Sequence, residues 1–132
     1  STRSARRRLI RDVRPLAMLS KEAIELILKR GAERGLDSLT PVERKVFLIS
    51  EAEVLCDMEG IDSFLDRYSA SVSEAADAFA AAGAAQIAES LRAIYTRLPA
   101  RPDELLDRAN ALVTARTGYD YDSVLRLVSD EV

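Results

Sequence analysis

Apolar residues recur along this chain every three or four positions, the spacing of one face of an α-helix. The first clear run follows Ser20, a good capping residue, and its inward positions are Ala23, Ile24, Ile27 and Leu28. No segment alternates with the period of two that a half-buried β-strand shows. The pattern predicts an all-α fold, a compact bundle of six or seven helices with short connections.

The strongest local signal is the motif Leu-Thr-Pro-Val-Glu at 39–43. Thr40 can cap a helix, Pro41 suits its first position, and Glu43 completes a capping box three residues after the cap. The helix that begins there is predicted over 41–58, a length of about 27 Å. Its apolar residues lie on more than one face, which is typical of a central helix surrounded by others.

The remaining helices follow from capping residues and helix breakers. Ser73 and the proline at 99 delimit a predicted helical pair over 73–82 and 84–98, Pro102 precedes the next helix, which we expect to end at Gly118, and Asp122 can cap a last short one. Eight apolar side chains are predicted to be largely buried: Val46, Phe47, Ile49, Val54, Phe64, Leu91, Ile94 and Leu105.

Composition excludes most familiar catalytic sites. The 132 residues contain no histidine, so catalytic triads with His, Cys-His pairs and imidazole zinc sites are excluded. The single cysteine, Cys56, sits among apolar neighbours, where we expect a small buried side chain. No apolar run reaches the roughly 18 residues of a membrane span. We therefore expect a single domain over 15–132, with no metal, cofactor or membrane partner.

The net charge of −3 is unevenly distributed, because an arginine cluster precedes the domain. The N-terminal arm, residues 1–14, carries Arg3, Arg6, Arg7, Arg8, Arg11 and Arg14 against a single aspartate. Such an arm is solvated, packs on the acidic half of the chain, or binds nucleic-acid phosphates. Its apolar pair at 9–10 is too short for an export signal, so we expect a cytoplasmic protein.

Acidic residues are concentrated over 51–77, where eight carboxylates accompany one cation, Arg67. Their spacing does not match a calcium-binding loop, so we interpret them as a solvated acidic surface. If that surface meets a basic partner, the expected contacts are Glu51, Asp57, Glu59, Asp62 and Asp66.

Glu53 is unusual because it falls within an apolar stripe of the predicted central helix, beside Val46, Ile49 and Cys56. A carboxylate there needs hydrogen-bond donors or an arginine. We expect a buried structural carboxylate, hydrogen-bonded near the turn at 58–61. The alternative is a general acid or base, which would make the chain a carboxylate-dependent hydrolase. Because no catalytic partner is visible, we expect no enzymatic activity.

The stretch from about 39 to 98 resembles the DNA-mimic-protein-like family, bacterial all-α domains mostly of unknown function. The motif Leu-Thr-Pro-x-Glu-Arg stands at 39–44, and Glu53 matches a family glutamate. The family turn Asn-Gly-Gly-Phe corresponds to 58–61, where only Gly60 is retained, and the Gly-Ala pair at 83–84 and Pro99 follow.

The resemblance implies a non-enzymatic protein-interaction domain. The named member of that family is a dimer whose carboxylates stand in for DNA phosphates and occupy the DNA site of a transcription factor. For this chain it implies a homodimer that binds a DNA-binding protein through its acidic surface. The alternatives are direct nucleic-acid binding through the N-terminal arm and the hydrolase.

Overall fold

The computed structural model describes residues 16–129, and the N-terminal arm with its six arginines lies outside that range. The described part contains seven α-helices and no strand, which confirms the all-α prediction. They are α1 (Leu16–Arg34), α2 (Pro41–Met58), α3 (Ile61–Tyr68), α4 (Val72–Ala81), α5 (Ala85–Arg97), α6 (Asp103–Thr114) and α7 (Tyr121–Ser129). Short 3₁₀ turns, Leu36–Ser38 and Ser69–Ser71, precede α2 and α4.

Helix α2 is the centre of the bundle, as its several apolar faces predict, and it packs against α1, α3, α4, α6 and α7. Its first turn has the expected capping box. The amide N of Glu43 donates to Thr40 Oγ1 at 3.3 Å, and the amide N of Thr40 donates to Glu43 Oε1 at 2.9 Å. These two bonds satisfy backbone amides that no helical carbonyl reaches, and they define the start of α2. Both bounds of α2, Pro41 and Met58, match the prediction.

Most of the predicted core is buried: Val46, Phe47, Ile49, Phe64, Leu91 and Ile94. Leu105 is half-buried against that core. The prediction for Val54 is wrong, since 45% of it is exposed, and Met58 one turn later is 75% exposed. Phe47 lies on the same side of α2 but is covered by α1 at Gly31. Val54 and Met58 lie further along, where no described helix covers them.

Three predicted caps are wrong for local reasons. Ser20 lies inside α1, and its buried hydroxyl has no hydrogen-bond partner in the described part. Helix α4 begins at Val72 without a side-chain cap, so Ser73 is internal. Helix α7 is capped by Asp120 rather than Asp122, because Asp120 Oδ1 accepts a 2.9 Å bond from the amide N of Ser123. Hydrogen bonds from Ser123 lower the pKa of Asp120.

The loop between α6 and α7 is held close to the α4–α5 turn. A Cβ on Gly118 would lie 3.3 Å from the Cα of Ala84, so only a residue without a side chain fits there comfortably. Tyr119, the next residue, is buried with its ring 5.4 Å from that of Phe79. This close approach places the Tyr119 hydroxyl beside the C-terminal half of α2.

Candidate functional site

Glu53 lies on α2 facing the α6–α7 loop, and its side chain is 26% exposed. It accepts a short hydrogen bond from the Tyr119 hydroxyl and lies 3.3 Å from Arg116 Nε. The expectation of a buried carboxylate bound at the 58–61 turn is therefore wrong on both points. The amide N of Ile61 in that turn donates instead to Asn110 Oδ1 at 3.0 Å. Of the interpretations open to Glu53, pairing with an arginine describes its surroundings.

Arg116 joins this glutamate to a second carboxylate of α2. Its Nη1 and Nη2 donate to the two oxygens of Asp57, at 3.1 and 2.8 Å. That paired geometry raises the pKa of Arg116 and lowers the pKa of Asp57. Burial and the neighbouring Glu53 raise the pKa of Tyr119. The cluster therefore holds a neutral phenol, one guanidinium and two α2 carboxylates.

A second arginine, Arg101, is shared in the same way by two aspartates of α3. Arg101 Nη1 lies 3.2 Å from Asp62 Oδ1 and 2.9 Å from Asp66 Oδ1. Both aspartates stay largely open, with side chains 65% and 67% exposed, respectively. One positive charge between two carboxylates leaves this pair with a net negative charge.

The last two predicted contacts have neutral partners. Glu59 is exposed and accepts a 3.1 Å hydrogen bond from Ser63 Oγ. Glu51 is half-buried and accepts a 2.7 Å bond from the Tyr68 hydroxyl, and burial together with Glu51 raises the pKa of Tyr68. We call the five predicted carboxylates, which lie on the C-terminal half of α2, at its C-cap and on α3, the acidic corner: Glu51, Asp57, Glu59, Asp62 and Asp66.

The two arginines of the site are residues that the sequence analysis missed. Arg101 comes from the segment before α6, and Arg116 lies 59 residues beyond its partner Asp57. Nothing local marks them, since the acidic stretch itself contains only Arg67. The fold therefore neutralises part of a charge run that looks uncompensated in the sequence.

Other chemistry is limited in the described part. Burial raises the pKa of Cys56 to about 12, so its thiol stays protonated at neutral pH. Among residues 16–129, no three side chains of the kinds that ligate metals come together. None of the helices described is both long and apolar enough to cross a membrane.

Comparison of the sequence with known protein families gives a match. The family model described as DMP19-like protein matches residues 37–130, which covers more than half of the chain. The chain belongs to the DMP19-like protein family. The match confirms the resemblance and includes every residue of the acidic corner, as well as Glu53, Arg101, Arg116 and Tyr119. Searches of curated proteins and of solved structures found no match.

Proposed function

We propose that this DMP19-like domain is a non-enzymatic protein-interaction domain whose acidic corner binds a basic partner, such as a DNA-binding protein. The observation that carries the proposal is the sharing of arginines. Arg101 serves both Asp62 and Asp66, and Arg116 serves both Asp57 and Glu53. Each cation leaves one uncompensated negative charge, so the corner stays acidic although it is ion-paired.

Exposure and neighbouring apolar surface support the same proposal. Asp62, Asp66 and Glu59 face solvent, where negative charge attracts a basic partner over a distance of about 10 Å at 0.1 M salt. Val54 and Met58, on the same half of α2, supply exposed apolar area. Interfaces commonly combine an apolar centre with a polar rim.

The surroundings of Glu53 support a non-enzymatic role. A hydrolase of the kind considered above needs a second carboxylate that converges on the same point. Asp120 and Glu53 both line a cavity between α2 and the start of α7, but Asp120 Oδ1 caps α7 through Ser123. Arg116 and Tyr119 hold Glu53 as a hydrogen-bond acceptor, and neither supplies a proton acceptor for catalysis.

The experiment compares two matched double variants. Asp62→Asn/Asp66→Asn removes charge from the acidic corner, and Glu33→Gln/Glu89→Gln removes the same charge from exposed positions on α1 and α5. Each protein is immobilised and used to capture partners from a lysate of the source cells. We expect a basic protein that the wild type and the control retain, and that the corner variant loses about tenfold or more. Equal capture by both double variants would contradict the proposal.

The resemblance also supports a homodimer, which we include in the proposal. Sedimentation equilibrium of the purified chain should give twice the monomer mass of 14.5 kDa. A mass that stays monomeric at high micromolar concentration would remove the dimer and leave the partner proposal in place.

A further inference from the structure

A cavity of about 260 Å³ opens beside Glu53, between α1, α2 and the start of α7. Its walls are apolar, formed by Ile24, Leu28, Val46 and Val124. Tyr121, which is 50% exposed, also lines it. This volume is just below the range of about 300–1,000 Å³ typical of small-molecule pockets. It suits one amino-acid side chain better than a cofactor.

At the polar end of the cavity, Glu53 offers a hydrogen-bond acceptor, whereas both terminal nitrogens of Arg116 are already used as donors. Glu53 uses its Oε2 for both Tyr119 and Arg116, and Oε1 has no hydrogen-bond partner among the described residues. A carboxylate offers about four lone-pair sites, so Glu53 can accept further hydrogen bonds. Arg116, in contrast, spends both terminal nitrogens on Asp57, and its Nη1 also donates to the Val113 carbonyl.

Charge at this end favours a cation. Two carboxylates, Glu53 and Asp120, line this end with one guanidinium, that of Arg116. Arg116 also pairs with Asp57, and Arg126 acts on Asp120, so the carboxylates of this group still outnumber its cations. Burial and the carboxylate of Glu25 raise the pKa of the Tyr121 phenol. Glu25 is therefore a further carboxylate close to the cavity. An anionic ligand would meet these carboxylates, and the one cation that lines the cavity, Arg116, is already engaged by Asp57 and Glu53.

We propose that this cavity receives one lysine or arginine side chain of the protein partner. Its aliphatic stem lies along the apolar walls, and its charged head donates to Glu53 Oε1. The ring of Tyr121 supplies a surface over which a cation is attracted. The inference rests on the proposed function, because it names the anchor by which a basic partner is recognised.

The test uses a defined probe and the full chain, so that it does not depend on finding the partner. N-acetyl-lysine-N-methylamide is titrated into the ¹⁵N-labelled protein, and the norleucine analogue, which lacks the ammonium, is titrated in parallel. We expect saturable shifts of the amide signals of Tyr119, Tyr121 and Glu53 with the lysine probe. The norleucine probe should bind at least about tenfold more weakly, because it makes no charged hydrogen bond.

Variants then assign the binding to the cavity. Glu53→Gln should weaken the lysine probe about tenfold, Tyr121→Ala should weaken it several-fold, and Glu89→Gln on α5 should have no effect. Equal binding of the two probes, or unchanged binding by Glu53→Gln and Tyr121→Ala, would overturn the inference. If Glu53→Gln does not fold, the probe pair and the exposed Tyr121→Ala still decide.

The two proposals fail separately. Loss of partner capture by Asp62→Asn/Asp66→Asn with no lysine-probe binding would support the acidic corner and reject the cavity. Probe binding that disappears in Glu53→Gln, together with unchanged capture by that corner variant, would support the cavity and reject the corner.

Discussion

Arg116 occupies a backbone position that many helices give to glycine. It follows the last turn of α6 with φ of 53°, and the amide N of Thr117 donates back to the Leu112 carbonyl at 3.1 Å. A side chain in this left-handed conformation costs roughly 1–2 kcal/mol. The guanidinium acts against that cost, because it joins Asp57 and Glu53 to the α6–α7 loop.

The strain at Arg116 reverses a familiar preference. Arg116→Ala and Arg116→Gly both lose the ion pairs, but only glycine relieves the backbone. We expect Arg116→Gly to be the more stable of the two by about 1 kcal/mol in urea unfolding. The control is Ala111 inside α6, where the wild-type alanine should give a more stable protein than Ala111→Gly, the usual order in a helix. If Arg116→Ala is the more stable variant, the left-handed conformation at position 116 does not cost the alanine variant measurable stability.

Glu53 gives a second prediction at this scale. In Glu53→Ala, the buried hydroxyl of Tyr119 and the guanidinium of Arg116 lose an acceptor. The free energy of unfolding should fall by about 1–3 kcal/mol, the usual cost of leaving such groups without a partner. Thermal melting is the measurement, and Glu89→Ala at an exposed position on α5 is the control. An unchanged melting temperature would show that Glu53 has no structural role.

At the scale of elements, the sequence predicts helices best where a cap and an apolar run agree. The capping box and the apolar faces define α2 at both ends. The sequence predicts the end of α6 at Gly118, but the helix ends at Thr114, because Arg116 adopts the left-handed conformation that a glycine usually marks. The cap of α7 is predicted at Asp122, whereas Asp120 forms it, because the amide N and the hydroxyl of Ser123 both donate to Asp120 Oδ1.

The capping box of α2 gives a prediction for an element. Thr40→Ala removes the side-chain oxygen that accepts from the amide N of Glu43. We expect a loss of about 1 kcal/mol in the free energy of unfolding, measured by urea titration. Thr40→Ser keeps the oxygen and should stay within a few tenths of a kcal/mol of the wild type. Equal losses in the two variants would mean that the hydroxyl is not what stabilises this end of α2.

The contact between α2 and α4 gives a pH-dependent prediction. Arg44 Nε and Nη2 donate to Glu74 at 2.6 and 2.7 Å, and these bonds lower the pKa of Glu74 from its usual 4.5. A carboxylate with a lowered pKa contributes stability above 4.5 and loses that contribution as the pH falls through its folded-state pKa. The stability difference between wild type and Glu74→Gln should therefore shrink on acidification. A difference that stays constant between pH 7 and about pH 2 would contradict this assignment.

Across the whole molecule, the fold mixes charges that the sequence keeps apart. Read along the chain, 51–77 is an acidic block, yet in the structure it meets arginines from four places: Arg44, Arg92, Arg101 and Arg116. The location of the acidic surface could be predicted because it follows composition. Its residual charge could not, because each pairing with an arginine depends on tertiary contacts across 15 to 63 residues.

The last prediction concerns the N-terminal arm, for which direct DNA binding is the alternative to a protein partner. Its six arginines, if they all contacted phosphates, would give log K against log salt a slope of about −5 on duplex DNA. We expect instead that deletion of residues 1–14 leaves partner capture by the acidic corner unchanged. Fluorescence anisotropy with a labelled duplex, at several salt concentrations, measures the competing activity. DNA binding that is steep in salt and disappears on deletion would make the arm, rather than the acidic corner, the principal binding element of the chain.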